Sequence, residues 1–351
     1  MRVQPLFVSL ALLPLLGAGC ISISSGHKKA ATGGVFKSVD KGVTWIQKVA
    51  LPTSKGVQSI AGVDISTIAF DPGDPNALYL GSVANGLFYS YDAGESWQRA
   101  GDLTTGNVSV IAVHPREKCM VYAAVANRLF QSTDCSRSFQ VIYTDPRSAA
   151  TITALVIDWF NPRQLYLTTG TGELSRSTDG GGHWSPVRRW DDGLAELVMS
   201  AGDSRKLWVA TRGQGMWLTE DAGATWQDLK KTMEPFEGAR AFFAMAEDRA
   251  APGTIMHASR FGLLKSTDSG HTWQKMNILT PPQAVTITSL AINPKNSQEV
   301  YYTTATKLYT SRDGGTSWAT AEIPSNRTAS TFAIDPANDA VLYLGVVQPK
   351  K

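Results

Sequence analysis

The stretch KSTDSGHTWQKM, from Lys265 to Met276, carries the spacing S/T-x-D-x-G-x-x-W. The same pattern occurs at five other places in the chain, and a degenerate copy, STDCSRSF, starts at Ser132. The aspartates of the seven copies are 52, 42, 45, 42, 47 and 45 residues apart; they are Asp40, Asp92, Asp134, Asp179, Asp221, Asp268 and Asp313. A period near 45 residues is typical of the four-stranded blades of a β-propeller.

Three short apolar or alternating runs precede a typical copy. In the second repeat they are Ile65 to Phe70, Ala77 to Gly81 and Gly86 to Ser90, and a turn rich in Asp, Pro and Gly separates the first two. Such runs predict strands, and the aromatic residue of the motif opens a fourth. Each repeat is therefore predicted to be a small antiparallel meander.

The motif falls where the third strand of a repeat must reverse into the fourth. Its glycine adopts a positive φ without steric cost, and its aspartate can accept hydrogen bonds from turn amides that otherwise lack partners. Its tryptophan can cover the hairpin and pack against the next repeat. Because one chain does not need seven near-identical catalytic aspartates, we interpret all seven as structural.

The two ends of the chain predict how the ring closes. The first motif follows Gly34-Val35-Phe36 almost directly, which leaves no room for the first two strands of its repeat. Two strand-like runs near the C-terminus, Thr331 to Pro336 and Val341 to Val347, have no motif after them. Pairing the two ends completes one shared blade and removes an open sheet edge. The predicted fold is all-β, a seven-bladed β-propeller with four-stranded antiparallel blades, in which the N- and C-terminal strands close the last blade.

The seven motifs resemble those of the Asp-box, or BNR-repeat, propellers, and the resemblance covers almost all of residues 33 to 348. That group includes sialidases, xyloglucan-degrading glycosidases, the luminal domain of sortilin and propellers similar to photosystem II assembly factors. It contains both enzymes and binding proteins. The resemblance therefore implies the fold and leaves the function open.

The N-terminus predicts export. The segment MRVQPLFVSLALLPLLGAGC has one arginine, an apolar stretch too short to span a bilayer, and small residues before Cys20. We predict an export signal peptide in residues 1–19, a lipidated Cys20 with a flexible tether in residues 20–34, and the propeller in residues 35–348. The lipid would anchor the protein to a bacterial membrane on its extracytoplasmic side; ordinary secretion is the alternative.

Two cysteines lie in the predicted propeller, beyond Cys20. Cys119 falls in the turn between the first two strands of its repeat, and Cys135 falls in the motif turn of the same repeat. Both turns belong to one face of the ring, and the degenerate copy lacks the glycine and the tryptophan of the others. We predict a disulfide that replaces the missing turn chemistry. Two inert thiols are the alternative.

Catalytic carboxylates of a hydrolase would lie on the face formed by the connections that enter first strands and those that join second to third strands, here called the loop face. The opposite face, which carries the motif turns, is called the motif face. Glycoside hydrolysis needs two carboxyl groups about 5 to 10 Å apart. Solvated loop charge is the alternative explanation for the six acids predicted on the loop face, which are Asp64, Asp102, Asp145, Glu173, Asp191 and Asp192.

Two features argue against the chemistry of the known hydrolases in this group. The R-I-P segment of sialidases does not occur in the chain. The xyloglucan-degrading relatives use two propellers in tandem and an aspartate in an early loop, whereas the corresponding loop here, Gly81 to Asn85, contains no carboxylate.

Basic residues are also predicted on the loop face. They are Arg128, Arg147, Arg188, Arg189, Arg212, Arg240, Arg260, Lys307 and Arg327. Trp190 stands in a polar segment beside two arginines, and tryptophan with arginine is frequent at the centre of protein interfaces. We predict that Arg188, Arg189, Trp190, Arg212, Arg240 and Arg260 bind a partner; scattered solubilising charge is the alternative.

The function predicted from these features is a non-enzymatic, membrane-tethered scaffold that binds a protein partner, such as a membrane protein, through a basic face. The alternative is a carbohydrate-active propeller, either a glycoside hydrolase or a lectin. The histidine spacing suggests no metal site, and we expect no cofactor. A net charge of +3 and an extracytoplasmic location give no reason to expect nucleic acid, and we expect a monomer.

Overall fold

The computed structural model describes residues 33–281 and 283–349. The predicted signal peptide, Cys20 and the tether as far as residue 32 lie outside the described residues, so these remain predictions. Among the described residues, no helix is long and apolar enough to cross a membrane.

The first strands are β1 (Gly34–Ser38), β2 (Ile46–Gln47), β3 (Ala50–Thr53) and β4 (Gly56–Ser59). Six four-stranded sheets then follow in chain order and are numbered blades 1 to 6. Blades 1 to 3 contain β5 (Ile65–Asp71), β6 (Asp74–Ser82), β7 (Leu87–Ser90), β8 (Gln98–Arg99), β9 (Val108–Val113), β10 (Val121–Val125), β11 (Arg128–Ser132), β12 (Gln140–Thr144), β13 (Ile152–Ile157), β14 (Leu165–Thr169), β15 (Glu173–Ser177) and β16 (Ser185–Arg189).

Blades 4 to 6 contain β17 (Leu194–Met199), β18 (Leu207–Thr211), β19 (Met216–Thr219), β20 (Gln227–Asp228), β21 (Phe242–Glu247), β22 (Ile255–Ser259), β23 (Gly262–Ser266), β24 (Gln274–Lys275), β25 (Ser289–Asn293), β26 (Asn296–Thr303), β27 (Lys307–Ser311) and β28 (Ala319–Glu322). A short helix, α1 (Lys230–Met233), precedes β21. The chain ends with β29 (Thr328–Ile334) and β30 (Leu342–Val347).

The seventh blade joins the two ends of the chain. Its sheet order is β2-β1-β30-β29, and β1 pairs antiparallel with β30 so that Val35 lies opposite Gly345. The predicted fold, with seven four-stranded blades and a last blade shared by both termini, is confirmed.

The core lies between neighbouring blades. Between blades 7 and 1, for example, Val35 and Tyr343 pack with Leu78, Phe88 and Trp97, all buried. The second strands, such as β14 and β18, are buried along their whole length, which explains why they are continuous apolar or small-residue runs. The outermost strands are short, and β8, β20 and β24 are exposed.

Two elements outside the blades were not predicted from the sequence. The hairpin β3–β4 lies against blade 1, where the Trp97 indole donates to the Lys48 carbonyl at 2.9 Å and its ring is completely buried. Helix α1 covers the motif tryptophan of blade 5 in a similar way. The Trp273 indole donates to Thr232 Oγ1 at 3.0 Å, and its ring packs near Met233. Both elements extend the hydrophobic cover over a motif tryptophan.

The motif turns share one hydrogen-bond pattern. In blade 5, Asp268 Oδ1 accepts from Ser266 Oγ at 2.7 Å and from the Thr272 amide at 2.8 Å, while Oδ2 accepts from Thr272 Oγ1 at 2.6 Å. Ser266 Oγ in turn accepts from the amide of Gly270, whose φ is +98°. The other six copies repeat these contacts, with His183 in place of the hydroxyl residue in blade 3.

These contacts favour the ionised carboxylate. Hydrogen bonds from the side chain and then the amide of the residue four positions later lower the pKa from 3.8 to about 2 at Asp40, Asp134, Asp221 and Asp313. The aspartates therefore serve as charged acceptors that organise a turn, in agreement with their structural interpretation.

A second backbone contact ties each motif turn to the rest of its blade. The amide directly after the aspartate donates to a carbonyl in the turn between strands one and two or at the start of strand two, at 2.8 to 3.0 Å in six blades. In blade 2 the corresponding contact, from Cys135 to Cys119, is longer at 3.4 Å. The same two residues are joined by a disulfide, with Cα atoms 3.9 Å apart. The covalent link therefore occupies the place that a backbone hydrogen bond occupies in the other blades.

Second-strand aromatics connect one blade to the next. Tyr122, Tyr166 and Tyr343 each donate a hydroxyl to the carbonyl directly after the motif aspartate of the following blade, at 2.8 to 3.1 Å. The Trp208 indole makes the equivalent contact with Ser269 at 2.9 Å. The motif turn is thus held by its own blade and by its neighbour.

We expect Ser266→Ala to lower the free energy of unfolding by about 1 to 3 kcal/mol, because it leaves the buried Gly270 amide without its acceptor. Ser266→Thr is the matched control, since blade 4 already uses Thr219 for the same contacts. Urea unfolding of the two variants and the parent checks this. Equal stability of the alanine variant and the parent would contradict the role of the motif hydroxyl.

We expect the protein to lose stability in acid below about pH 4. The folded-state pKa of these aspartates lies near 2, below the ordinary 3.8, so their contribution is complete above the unfolded value and is lost as the pH falls towards 2. The urea midpoint measured between pH 6 and pH 2 tests this. In Asp221→Asn the midpoint should depend less steeply on pH; an unchanged slope would show that other groups dominate.

The predicted disulfide can be tested by mass spectrometry of the exported, unreduced protein. Because Cys119 and Cys135 are 16 residues apart, the chain-entropy model predicts that the disulfide raises the free energy of unfolding by about 3 kcal/mol. The variant with both cysteines replaced by serine should lose about that much stability, and reduction of the parent should have the same effect. Two free thiols in the exported protein would overturn the prediction.

Candidate functional site

The predicted basic residues lie on the loop face in three consecutive blades. Arg189 ends β16 in blade 3, Arg212 begins the turn after β18 in blade 4, and Arg260 begins the turn after β22 in blade 5. All three are exposed, and within the described ranges no side-chain ion pair involves them. These guanidinium groups are available to an acidic partner.

Arg188 and Arg240 are already engaged. The Arg188 guanidinium lies 4.9 Å from the ring of Trp190 and 4.3 Å from the ring of Trp217, as a cation–π contact. Arg240 pairs with Glu234 at 3.0 Å. The structure therefore separates the predicted set into three free arginines and two that hold the loop face together.

Trp190 is not an exposed anchor, and this part of the prediction is wrong. Only 7% of its surface is exposed. Its ring packs at 6.0 Å from Trp217 and 5.3 Å from Trp226, across the boundary between blades 3 and 4. The polar neighbours suggested an exposed loop, but the backbone amide of Trp190 bonds to Gly172 and turns the ring inward.

The acids of the loop face mostly organise loops. Asp64 pairs with Arg327 at 2.7 Å, and Asp192 accepts from the amides of Gly213 and Gln214. Asp102 accepts from a backbone amide of blade 2 at 3.4 Å. Asp191 is exposed.

One pair of carboxylates on this face is close together. Asp145 Oδ2 and Glu173 Oε2 lie 2.8 Å and 2.9 Å from the same Arg147 nitrogen. Glycoside hydrolysis needs two neighbouring carboxyl groups of which one is protonated, but the Arg147 guanidinium lowers the pKa of Asp145. A carboxylate held ionised by arginine cannot serve as a general acid at neutral pH. Arg147 instead connects the segment after β12, which contains Asp145, to Glu173 at the start of β15.

A carboxyl group that sequence reasoning missed lies inside the ring. Glu196, on the innermost strand β17, accepts from the Met245 amide of blade 5 at 3.2 Å. Burial raises its pKa to about 7. In other blades a serine hydroxyl connects neighbouring inner strands; for example, Ser66 in blade 1 donates to the Val108 carbonyl in blade 2 at 2.6 Å. Glu196 therefore connects two inner strands through a hydrogen bond with a backbone amide of the next blade.

The motif face carries an exposed aromatic pair. Trp159 and Phe160 are 40% and 71% exposed, and their rings meet edge to face at 6.2 Å. The Trp159 indole donates to the Ser200 carbonyl at 2.9 Å, and Asp158 Oδ1 accepts from the Phe160 amide at 2.8 Å. Arg116 donates to both of their carbonyls. We call this preorganised pair the aromatic platform. The sequence offered one signal for this surface, because two adjacent aromatic residues stand between Asp158 and Asn161 in a turn that is otherwise polar.

Metal ligation is not evident in residues 33–281 and 283–349, where no group of three or more His, Cys, Asp and Glu side chains is arranged to hold an ion.

The chain was compared with family models, with curated proteins and with solved structures. No family model matches the chain. The probable oligoxyloglucan-reducing end-specific xyloglucanase of Neosartorya fischeri is 21% identical over 336 residues, which is 91% of this chain and 38% of the relative. A xyloglucanase of Hypocrea jecorina is 24% identical over 261 residues, 69% of this chain and 29% of the relative. The chain thus spans well under half the length of these curated relatives.

Solved structures agree on the fold. The GH74 xyloglucanase from Xanthomonas campestris superposes with a TM-score of 0.66 at 19% identity, over 81% of this chain and 51% of that one. A structure of YCF48 bound to D1 peptide gives a TM-score of 0.62 at 17% identity, over 86% of this chain and 96% of that one. The chain is a seven-bladed β-propeller whose curated relatives are xyloglucanases.

Proposed function

We propose that the protein is a carbohydrate-active propeller that binds a β-glucan polysaccharide of the xyloglucan type. The observation that carries this proposal is the extent of the sequence similarity, because the match to a xyloglucanase covers 91% of the chain. A match of that extent covers nearly the whole propeller, so the relationship is not limited to one repeated motif.

The chemistry of the described carboxylates favours binding over hydrolysis. Hydrolysis needs one carboxyl group protonated at working pH and a second one ionised nearby. Asp145 is held ionised by Arg147, and Glu196, which has a raised pKa, is engaged between two inner strands. We therefore assign binding to this propeller without turnover of its own.

The aromatic platform is the surface that suits a glycan. The C–H groups on one side of a sugar ring carry partial positive charge, and the face of an aromatic ring is negative. The Trp159 and Phe160 rings are exposed, and backbone contacts fix the turn that carries them. A fixed platform loses little conformational entropy when a ligand stacks on it.

We expect the protein to bind soluble xyloglucan in affinity electrophoresis and calorimetry. Trp159→Ala combined with Phe160→Ala should weaken binding about tenfold or more, because the stacking surface is removed. Tyr91→Ala is the matched control, since Tyr91 is also 40% exposed. Equal losses in both variants, or no binding of xyloglucan by the parent, would refute the proposal.

Release of reducing ends from xyloglucan provides a separate test of the assignment to binding alone. We expect none from the purified protein. Hydrolysis by the parent that disappears in Asp145→Asn or Glu173→Gln would show that this pair is catalytic, and the propeller would then be a glycoside hydrolase.

A second candidate function is protein binding through the loop face, in a scaffold or assembly role. It is supported by the match over 96% of the YCF48 chain, which was solved with a peptide, and by the three free arginines. Gly33, where the described chain begins, lies beside Arg327 on the same face. In this candidate function, a lipid at Cys20 would anchor the propeller through the end of the chain that enters on this face.

Charge reversal of Arg189, Arg212 and Arg260 to glutamate should reduce recovery of a partner from solubilised membranes, and the loss should mimic the effect of high salt. The control reverses three exposed cations of the motif face, Lys118, Arg137 and Arg163. An equal effect of both triple variants would contradict a specific role for the loop face.

A further inference from the structure

A cavity of about 640 Å³ opens on the motif face, on the opposite side of the ring from the free arginines. It is formed where the innermost strands of blades 5, 6, 7 and 1 end and turn into second strands. Phe70, Ile292 and Ile334 contribute apolar surface, and Pro72, Pro294 and Pro336 belong to the turns around it. Its volume is within the range of small-molecule sites.

The charges that line this cavity are mostly negative. Asp71, Glu247 and Asp335 are carboxylates, and Arg249 is the single cationic residue of the lining. Within the described residues, none of the three carboxylates forms an ion pair with a lysine or arginine. The lining therefore carries three carboxylates against one guanidinium group, and its net charge is negative.

Hydrogen bonds to amides hold the carboxylates in place without neutralising them. Asp71 Oδ1 accepts from the Gly73 amide at 2.8 Å, and Asp335 Oδ1 accepts from the Ala337 amide at 2.8 Å. Glu247 accepts from the Ala201 amide at 2.7 Å. Asp335 Oδ1 also accepts from the Asn338 amide at 3.1 Å.

We propose that this cavity binds an organic cation with an apolar body, such as a primary or quaternary ammonium compound. The apolar surfaces of Phe70, Ile292 and Ile334 would cover the body, and Asp71 and Asp335 would balance the charge. Burial, and to a smaller extent the nearby Asp74, raise the pKa of Asp71 above its ordinary value, so a cation bound in the cavity would favour the ionised form of this carboxyl group.

The lining disfavours other classes of ligand. An organic anion would meet three carboxylates and one exposed arginine. A neutral ligand would bury the apolar surface but leave the charge uncompensated. A bare metal ion is not favoured, because the described residues contain no group of three or more ligating side chains arranged around a single point. This inference does not depend on the proposed binding of glycans.

Three probes with the same apolar body separate these possibilities: 4-phenylbutylammonium, 4-phenylbutanol and 4-phenylbutyrate. Calorimetry and NMR titration of the intact protein at low salt should give the order ammonium, then alcohol, then carboxylate. Equal binding of all three, tighter binding of the carboxylate, or no binding of the ammonium would overturn the proposal.

Two substitutions test the assignment to this cavity. Asp71→Asn with Asp335→Asn removes both charges, and the turns should survive because blade 6 has Asn293 at the equivalent position, where its Oδ1 accepts from the Lys295 amide at 2.9 Å. We expect the ammonium probe to bind about tenfold more weakly and the alcohol to be little affected. Arg249→Gln should have the opposite effect and strengthen binding of the ammonium.

The matched control is Asp158→Asn. Asp158 caps the equivalent turn of blade 3 and is not part of the cavity lining. It should leave the binding of all three probes unchanged. An equal loss in the control and in the double variant, with unaltered melting temperatures, would show that general surface charge is responsible and would overturn the proposal. Retention of ammonium binding by Trp159→Ala would separate this cavity from the aromatic platform.

Discussion

The fold depends on a carboxylate that accepts hydrogen bonds from both sides of a tight turn. In each blade the motif aspartate bonds to the hydroxyl two residues earlier and to the residue four positions later, while the hydroxyl bonds to an amide inside the turn. The aspartate and the hydroxyl residue thereby satisfy several amide and hydroxyl donors of the reversal locally. The turn is then fixed to its own blade by one backbone bond and, in several blades, to the preceding blade by an aromatic donor. Blade orientation follows from these small, repeated contacts.

Blade 2 shows what this arrangement requires. Its motif has Ser136 where the others have glycine, and both Cys135 and Ser136 adopt positive φ. Non-glycine residues in that region cost free energy, and the backbone contact between the two turns is also longer than elsewhere. The cross-link between Cys119 and Cys135 connects the two segments that the weakened contact would otherwise leave less securely joined.

Much of the fold could be predicted from the sequence because the motif pattern is periodic. Little of the candidate site could be predicted, because it depends on single side chains that no repeat reveals. Seven copies of one motif fix the number of blades, and the incomplete first and last repeats imply their pairing in blade 7. The hairpin β3–β4 has no repeat to reveal it. The direction of a single ring cannot be inferred from polar neighbours, so Trp190 was wrongly predicted to be exposed. The bond of Glu196 to Met245 joins residues 49 positions apart and depends on the position of one blade against the next.

The shared seventh blade also determines how the molecule responds to mechanical force. Strand β1 is hydrogen-bonded to β2 on one side. On its other side it pairs with β30 along its whole length, from Gly34 to Ser38. A pull on Gly33 along the strand would load these bonds in parallel, as shear, and would not open them one after another. A protein held by its N-terminus against flow or against a moving ligand would thus transmit tension into the blade that closes its ring. The closure that removes an open edge also serves as a mechanically resistant attachment point.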